Sequence, residues 1–182
     1  MRLFTGLDLS PELLERLGDL LERLRPAARI AWSPAGNLHI TTKFIGEWPE
    51  ERLEELRSGL GTVVTEDPIP IHIGGLGFYP NARSPRVFWC GVEAPGLTEL
   101  ATKTDAVTAR LGVESEKRAY SPHLTLARIR EKADLHKLHE HIEALGAADM
   151  GRFEARLFFL YRSQLRPTGS LYTKLAEFPL GK

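Results

Sequence analysis

The tetrapeptide His39-Ile40-Thr41-Thr42 returns 84 residues later as His123-Leu124-Thr125-Leu126, and the same offset aligns much of what surrounds the two copies. Without a gap, Arg2 falls on Arg86, Phe4 on Phe88, Pro11 on Pro95, Leu13 on Leu97 and Ile45 on Ile129. A chain that repeats itself in this way builds its fold from two similar units. With 182 residues it can bury a full core, and residues 1–182 read as one bilobal domain with halves of about 1–80 and 85–182. Gly74-Gly75-Leu76-Gly77 and Asn81-Ala82-Arg83-Ser84-Pro85 mark the joint.

Within each half the periodicity alternates between strand and helix. Residues 2–9 read as a strand closed by Ser10-Pro11, a cap followed by a proline suited to a helix's first turn. Leu13, Leu17, Leu20, Leu21 and Leu24 then recur at helical spacing. The first motif lies in a strand over 38–45, followed by a helix near 50–64 and a strand over 69–78. The second half repeats this order: strand 86–92, helix 96–111, motif strand 122–129, helix 134–145 and strand 153–162, with a last strand over 171–178. Alternating strands and helices usually signal a parallel sheet. Here the motif strands carry His and Thr at every second position, which fits a sheet with one face on helices and the other open. The expected class is therefore α+β: two pseudo-symmetric lobes, each a mainly antiparallel sheet with helices on its outer face, and a catalytic cleft between the sheets.

Composition narrows the functional classes. The 24 basic and 24 acidic residues cancel, which argues against a protein that coats long nucleic acid, although arginines gather late in the chain. Cys90 is the only cysteine, so no intramolecular disulfide can form, and its apolar neighbours read as a buried strand. No signal peptide and no membrane-length apolar run is apparent, which makes the cytoplasm the expected compartment.

Residues i and i+2 of a strand share a face, so each motif presents an imidazole beside a hydroxyl. Two such pairs facing each other supply an acid, a base and two neutral donors around one small anion. An imidazole's unperturbed pKa of about 6.5 allows one ring to be neutral while the other is protonated. The neutral ring can take a proton from an attacking hydroxyl or water. The protonated ring can deliver one to the leaving oxygen on the far side of phosphorus. Thr41 and Thr125 can then hydrogen-bond the non-bridging oxygens, where transition-state charge is held. This arrangement calls for neither a metal nor a cofactor.

Together with the motifs, several segments carry a family resemblance: Arg2-Leu3-Phe4 with Asp8, Asn37-Leu38-His39-Ile40-Thr41 leading to Phe44-Ile45-Gly46, Gly75-Leu76-Gly77-Phe78, Pro85-Arg86-Val87-Phe88-Trp89, and Pro122-His123-Leu124-Thr125-Leu126-Ala127-Arg128. Over essentially its whole length the chain resembles the two-histidine phosphoesterases, and among them the RNA 2′,3′-cyclic phosphodiesterases, also called 2′-5′ RNA ligases. The resemblance implies hydrolysis of a 2′,3′-cyclic phosphate end to a 2′-phosphate, with His39 as proton donor and His123 as proton acceptor. It also implies a reverse reaction that joins such an end to a 5′ hydroxyl without ATP. The partner is then an RNA carrying a 2′,3′-cyclic phosphate end, met by a monomer with no membrane association. The alternatives are a cyclic phosphodiesterase acting on a small nucleotide or a 2′-5′ oligoadenylate, and an RNA-end binding module without turnover.

Arg128 is an accessory candidate for the phosphate. Strict alternation puts it on the face opposite His123, so it reaches the site only where the strand bends, bulges or ends. Phe4, Trp32, Phe78 and Tyr120 are candidates for stacking a terminal base. Lys43 and the helix residues His136, His139 and His141 read as solvated surface, and His72 as a satisfied structural histidine.

Overall fold

A computed structural model describes residues 1–181. The elements run in the order β1 (Arg2–Leu7), α1 (Pro11–Leu24), β2 (Ala31–Trp32), β3 (Ile40–Glu47), α2 (Leu53–Leu60), β4 (Ile69–Tyr79), β5 (Val87–Glu93), α3 (Pro95–Arg110), β6 (His123–Arg128), α4 (His136–Leu145), β7 (Asp149–Ala155), β8 (Leu157–Arg166) and β9 (Gly169–Pro179). Local chemistry sets the helix starts. The Ser10 hydroxyl accepts from the Leu13 amide at 3.3 Å, and Pro11 and Pro95 occupy first turns. The leucine stripe of α1 is buried throughout. Truncating one fully buried member, Leu17→Ala, should cost about 3 kcal/mol in urea unfolding.

The fold is α+β, with every strand pair antiparallel. One sheet has four strands in the order β3-β1-β8-β9, and the other has five in the order β2-β6-β5-β4-β7. The lobes are not the sequence halves. A late strand of each repeat crosses over: β4 lies beside β5, and β8 lies beside β1. The first helix of each half crosses as well, so that α1 packs on β7 while α3 packs on β3. The stretch expected as one strand over 153–162 is two. At Arg156 the chain leaves the five-stranded sheet as β7 and enters the four-stranded sheet as β8. The helix-covered faces of both sheets feed one continuous core that includes Leu21, Phe88, Leu124 and Phe158. Cys90 is part of it, and burial pushes its thiol up to about 12. Among the described residues no helix is long and apolar enough to cross a membrane.

Both motif strands carry an extra residue just past the motif threonine, and β3 has a second at Ile45. On β3, Thr5 and Gly6 of β1 face Lys43 and Thr41, leaving Thr42 as an extra residue. On β6, Phe88 and Trp89 of β5 face Ala127 and Thr125, leaving Leu126 extra at the equivalent place. A bulge of this kind puts two successive side chains on one face and reverses the alternation beyond it. Thr42 and Lys43 accordingly both turn inward. Thr42 shares a buried 2.7 Å hydrogen bond with Thr5. Lys43 is not a surface residue: its ammonium is buried against Asp105 of α3 at 2.7 Å and donates to the Glu114 carbonyl at 2.8 Å. Glu116 completes the set at 3.4 Å. Partial burial works against ionising Asp105, but the Lys43 hydrogen bond and its other favourable partners outweigh it and hold the carboxyl below the usual carboxylate range.

Two outcomes are expected in urea unfolding. Asp105→Ala leaves a buried ammonium without its main counter-charge and should cost about 3 kcal/mol. Lys43→Met removes the buried charge itself, and should be much milder.

Candidate active site

His39 stands at the entrance to β3, and its ring is held from both nitrogens. Nδ1 lies 2.7 Å from the Asn37 carbonyl, and Nε2 lies 3.0 Å from the Thr41 hydroxyl. A carbonyl only accepts, so Nδ1 carries a hydrogen and Nε2 is the atom whose protonation changes. His123, at the start of β6, is held in the same manner: its Nδ1 donates to the Ser121 carbonyl at 3.0 Å. Each imidazole is thus oriented by the carbonyl two residues before it. Each Thr shares its histidine's face, and Trp89 and Gly91 of β5 lie in register with Thr125 and His123. The histidines come from different sheets but lie close enough that a proton on His123 disfavours one on His39.

The bulges set the direction of the side chains beyond each motif. Past the extra Leu126, Ala127 is buried and Arg128 turns out to the open face that carries His123 and Thr125. Its charge also reaches His39. Past the extra Thr42, Phe44 takes the equivalent position on the other strand, where it is 57% exposed. The repeat therefore offers a guanidinium on one side of the cleft and a free aromatic ring on the other.

The surroundings of the two histidines differ. Three rings crowd His39: Phe4 at 4.8 Å, Tyr172 edge-on at 5.0 Å, and Tyr161 at 6.1 Å. Behind them Asp8 accepts from the Tyr161 hydroxyl and pairs with Lys174. Burial and the bond to Asp8 both push the Tyr161 phenol up, so it remains a donor. His123 has a lighter cover, with Tyr79 edge-on at 5.3 Å and the Tyr79 hydroxyl 2.7 Å from Ser121 Oγ. Tyr79 in turn leans on Trp89, whose ring lies over Gly77 so closely that a Cβ there would come within 2.2 Å of it.

This asymmetry has an electrostatic result. Burial lowers the pKa of His39 below the ordinary histidine value. The hydrogen bond to Asn37 and the charge of Asp8 oppose that shift, while Arg128 and His123 add to it.

The aromatic candidates fare differently from the motif residues. Phe4 is 3% exposed and stacked on Tyr161, so it supports His39 and has no free face for a base. Phe78 stacks on Phe88 and touches His139, and Trp32 meets Phe88 edge-on while donating to the Ala28 carbonyl. Both stand on the helix side of their sheet, away from the cleft. Tyr120 packs on the core and spends its hydroxyl on the Thr41 carbonyl. Besides the covered Phe4, the rings on the cleft side include Phe44, Tyr79, Trp89, Tyr161 and Tyr172. Phe44 alone had a usable sequence signal, since it aligns with Arg128 in the repeat. His139 lies against Phe78 and is not part of a solvated face, whereas His72 is satisfied by Asp149 at 2.9 Å and Glu93 at 3.2 Å.

In the ligand-free protein the His39 ring is expected to titrate below about 6.5 in an NMR pH series. Tyr172→Ala, which opens the ring cage, should move it back up. Because the folded-state value is the lowered one, the unfolded chain binds the proton more readily. Stability from this group is therefore full above about pH 6.5, falls as pH drops below it, and levels off beneath the folded-state pKa.

The comparison with known proteins agrees with the geometry. The family model described as LigT-like phosphoesterase matches twice in succession, over residues 7–89 and 91–172. A protein of Methanocaldococcus jannaschii named RNA 2′,3′-cyclic phosphodiesterase is 35% identical over 178 residues, 98% of this chain and all of that one. A protein of the same name from Thermus thermophilus is 33% identical over 99% of this chain and 90% of its own. Among solved structures, one from Thermus thermophilus superposes with a TM-score of 0.83 at 30% identity, covering both chains completely. Escherichia coli LigT in complex with 3′-AMP superposes at 0.78 with 26% identity, covering all of this chain and 98% of its own. With the duplicated motif, the two bulged strands and matches that span both halves, the chain belongs to the LigT-like phosphoesterase family.

Proposed function

We propose that this protein hydrolyses RNA 2′,3′-cyclic phosphate ends to 2′-phosphates by acid–base catalysis from two histidines, without a metal. The observation that carries the reading is the matched pair of imidazoles: each is fixed at Nδ1 by a backbone carbonyl, and each has a threonine hydroxyl on its face. The names of relatives at 33–35% identity over nearly the whole chain supply the substrate class. That a related protein is solved with 3′-AMP supports a terminal nucleotide in the cleft.

In this mechanism His123, neutral at Nε2, takes a proton from water as the water oxygen attacks phosphorus. The bond from phosphorus to the 3′ oxygen breaks in line, and His39 delivers its Nε2 proton to that oxygen. The products are a 2′-phosphate and a 3′ hydroxyl. Thr41, Thr125 and Arg128 hold the non-bridging oxygens. The donor role asks for a protonated His39, whose pKa is lowered in the free protein. A bound phosphate anion supplies the missing counter-charge, offsetting Arg128 and raising the imidazole. With a 5′ hydroxyl in water's place the same displacement joins two ends through a 2′–5′ bond without ATP. One copy carries both histidines, so a monomer suffices.

The deciding experiment incubates a short RNA ending in a 2′,3′-cyclic phosphate with the protein in EDTA and maps the product. A 2′-phosphate from the wild type is expected, with losses on the order of 10²–10⁴ in rate for His39→Ala and for His123→Ala. No product would overturn the reading, and an EDTA-sensitive reaction would overturn its metal independence. Faster turnover of a cyclic mononucleotide than of the RNA end would reassign the substrate. A substrate with sulfur at the 3′ leaving position needs no protonation, so it should largely restore His39→Ala and leave His123→Ala inactive. The opposite pattern would exchange the two roles.

A further inference from the structure

The two motif strands belong to different sheets and share no ladder, so something other than sheet pairing must set the distance between the histidines. Two hydrogen bonds link each motif strand to the segment leading into the other motif, one of them reaching from sheet to sheet and one made at the edge of the sheet that holds β6. The Tyr120 hydroxyl donates to the Thr41 carbonyl at 2.9 Å, and the Ser33 hydroxyl donates to the Thr125 carbonyl at 2.8 Å. The acceptors are equivalent residues of the repeat, each the threonine of its motif. The donors lie in the segments that lead into the opposite motif: Tyr120 comes three residues before His123, and Ser33 six before His39. They do not align at the repeat offset, so what is symmetric is the bond and not the residue that makes it.

These carbonyls need outside partners. β3 is the edge strand of its sheet, with only β1 beside it. β6 is flanked on its outer side by the two-residue β2, and Ser33 prolongs that pairing with its amide on the Leu126 carbonyl at 2.8 Å and its hydroxyl on that of Thr125. A part-buried carbonyl left without a partner is costly, so each bond is favoured once formed. Burial pushes the Tyr120 phenol up, keeping it a donor at any working pH. The segment carrying Tyr120 is anchored a second time, by Lys43 on the Glu114 carbonyl.

We propose that Tyr120 and Ser33 are positioning residues that set the spacing of the two imidazoles, each tying the segment that delivers one histidine to the strand that carries the other. The inference rests on the two-histidine reading above. Misplacing reacting groups by about an ångström costs up to about 100-fold in rate, so a loosened spacing should appear in kcat and spare substrate binding.

The test compares Tyr120→Phe, Ser33→Ala, the double variant and Ser33→Thr on the cyclic-phosphate RNA. Each single loss of a hydroxyl is expected to lower kcat by about ten-fold with KM within about two-fold of wild type, and Ser33→Thr is expected to restore it. A second readout needs no turnover. A proton on His123 disfavours one on His39, so His123→Gln is expected to shift the His39 NMR titration by an amount set by their separation. That shift is expected to shrink in Tyr120→Phe and in Ser33→Ala. Wild-type kcat in both single variants with an unaltered histidine coupling would overturn the proposal. A fall in melting temperature alone, or a rise in KM alone, would overturn it too, showing a merely structural role. If the wild type turned over no cyclic-phosphate RNA, the proposed function would fall, while the titration would still decide the positioning role.

Discussion

The arrangement of the cleft depends on the surplus residue just past the threonine of each motif. In a regular strand, side chains that begin as His and Thr on the open face would be followed by residues 44 and 128 on the buried face, because each lies an odd number of positions from its histidine. The extra Thr42 and Leu126 absorb that parity change. Arg128 thereby reaches the face that holds His123, and Phe44 reaches the face that holds His39. The same displacement turns Lys43 inward, where Asp105 and the Glu114 carbonyl compensate it. The outward turn of Arg128 and the buried Lys43–Asp105 pair are therefore two effects of one local irregularity, repeated at equivalent places.

The repeat supplies the frame, and departures from symmetry make the two histidine environments differ. Both imidazoles have the same tautomer because each donates to the carbonyl two residues back. Their surroundings differ because three rings close around His39 while only Tyr79 leans on His123. Burial then shifts one ring away from its ordinary titration range, and Asp8, behind Tyr161, opposes the shift. Two chemically identical groups therefore sit in unequal surroundings set by their neighbours alone.

Much of this is legible in the sequence, and the failures have physical causes. The 84-residue offset, the leucine stripe of α1, the capping Ser10 and the alternation of both motifs each record a local or periodic preference, and the structure follows them. The bulges are invisible to a strict count of alternation, so Lys43 reads as exposed and Arg128 as misplaced. The break at Arg156 escapes because apolar spacing continues across it while the chain changes sheets. Phe78 and Trp32 look available for stacking because aromatic content says nothing about which face of a sheet a ring occupies. Tyr161 and Tyr172 reach His39 from the far end of the chain, and only the tertiary pairing of β8 with β1 and of β9 with β8 reveals them.

The crossing of β4 and β8 between sheets has a mechanical meaning. Neither half of the chain closes its own sheet: β1 and β3 need β8 from the second half, and β5 and β6 need β4 from the first. This is the topology that two copies of a single half would reach by trading their later strands, here joined into one polypeptide. Such an interleaved pair has no seam along which one repeat could swing from the other. Any opening of the cleft is therefore a movement of one sheet against the other, each carrying strands of both repeats, and not of repeat against repeat.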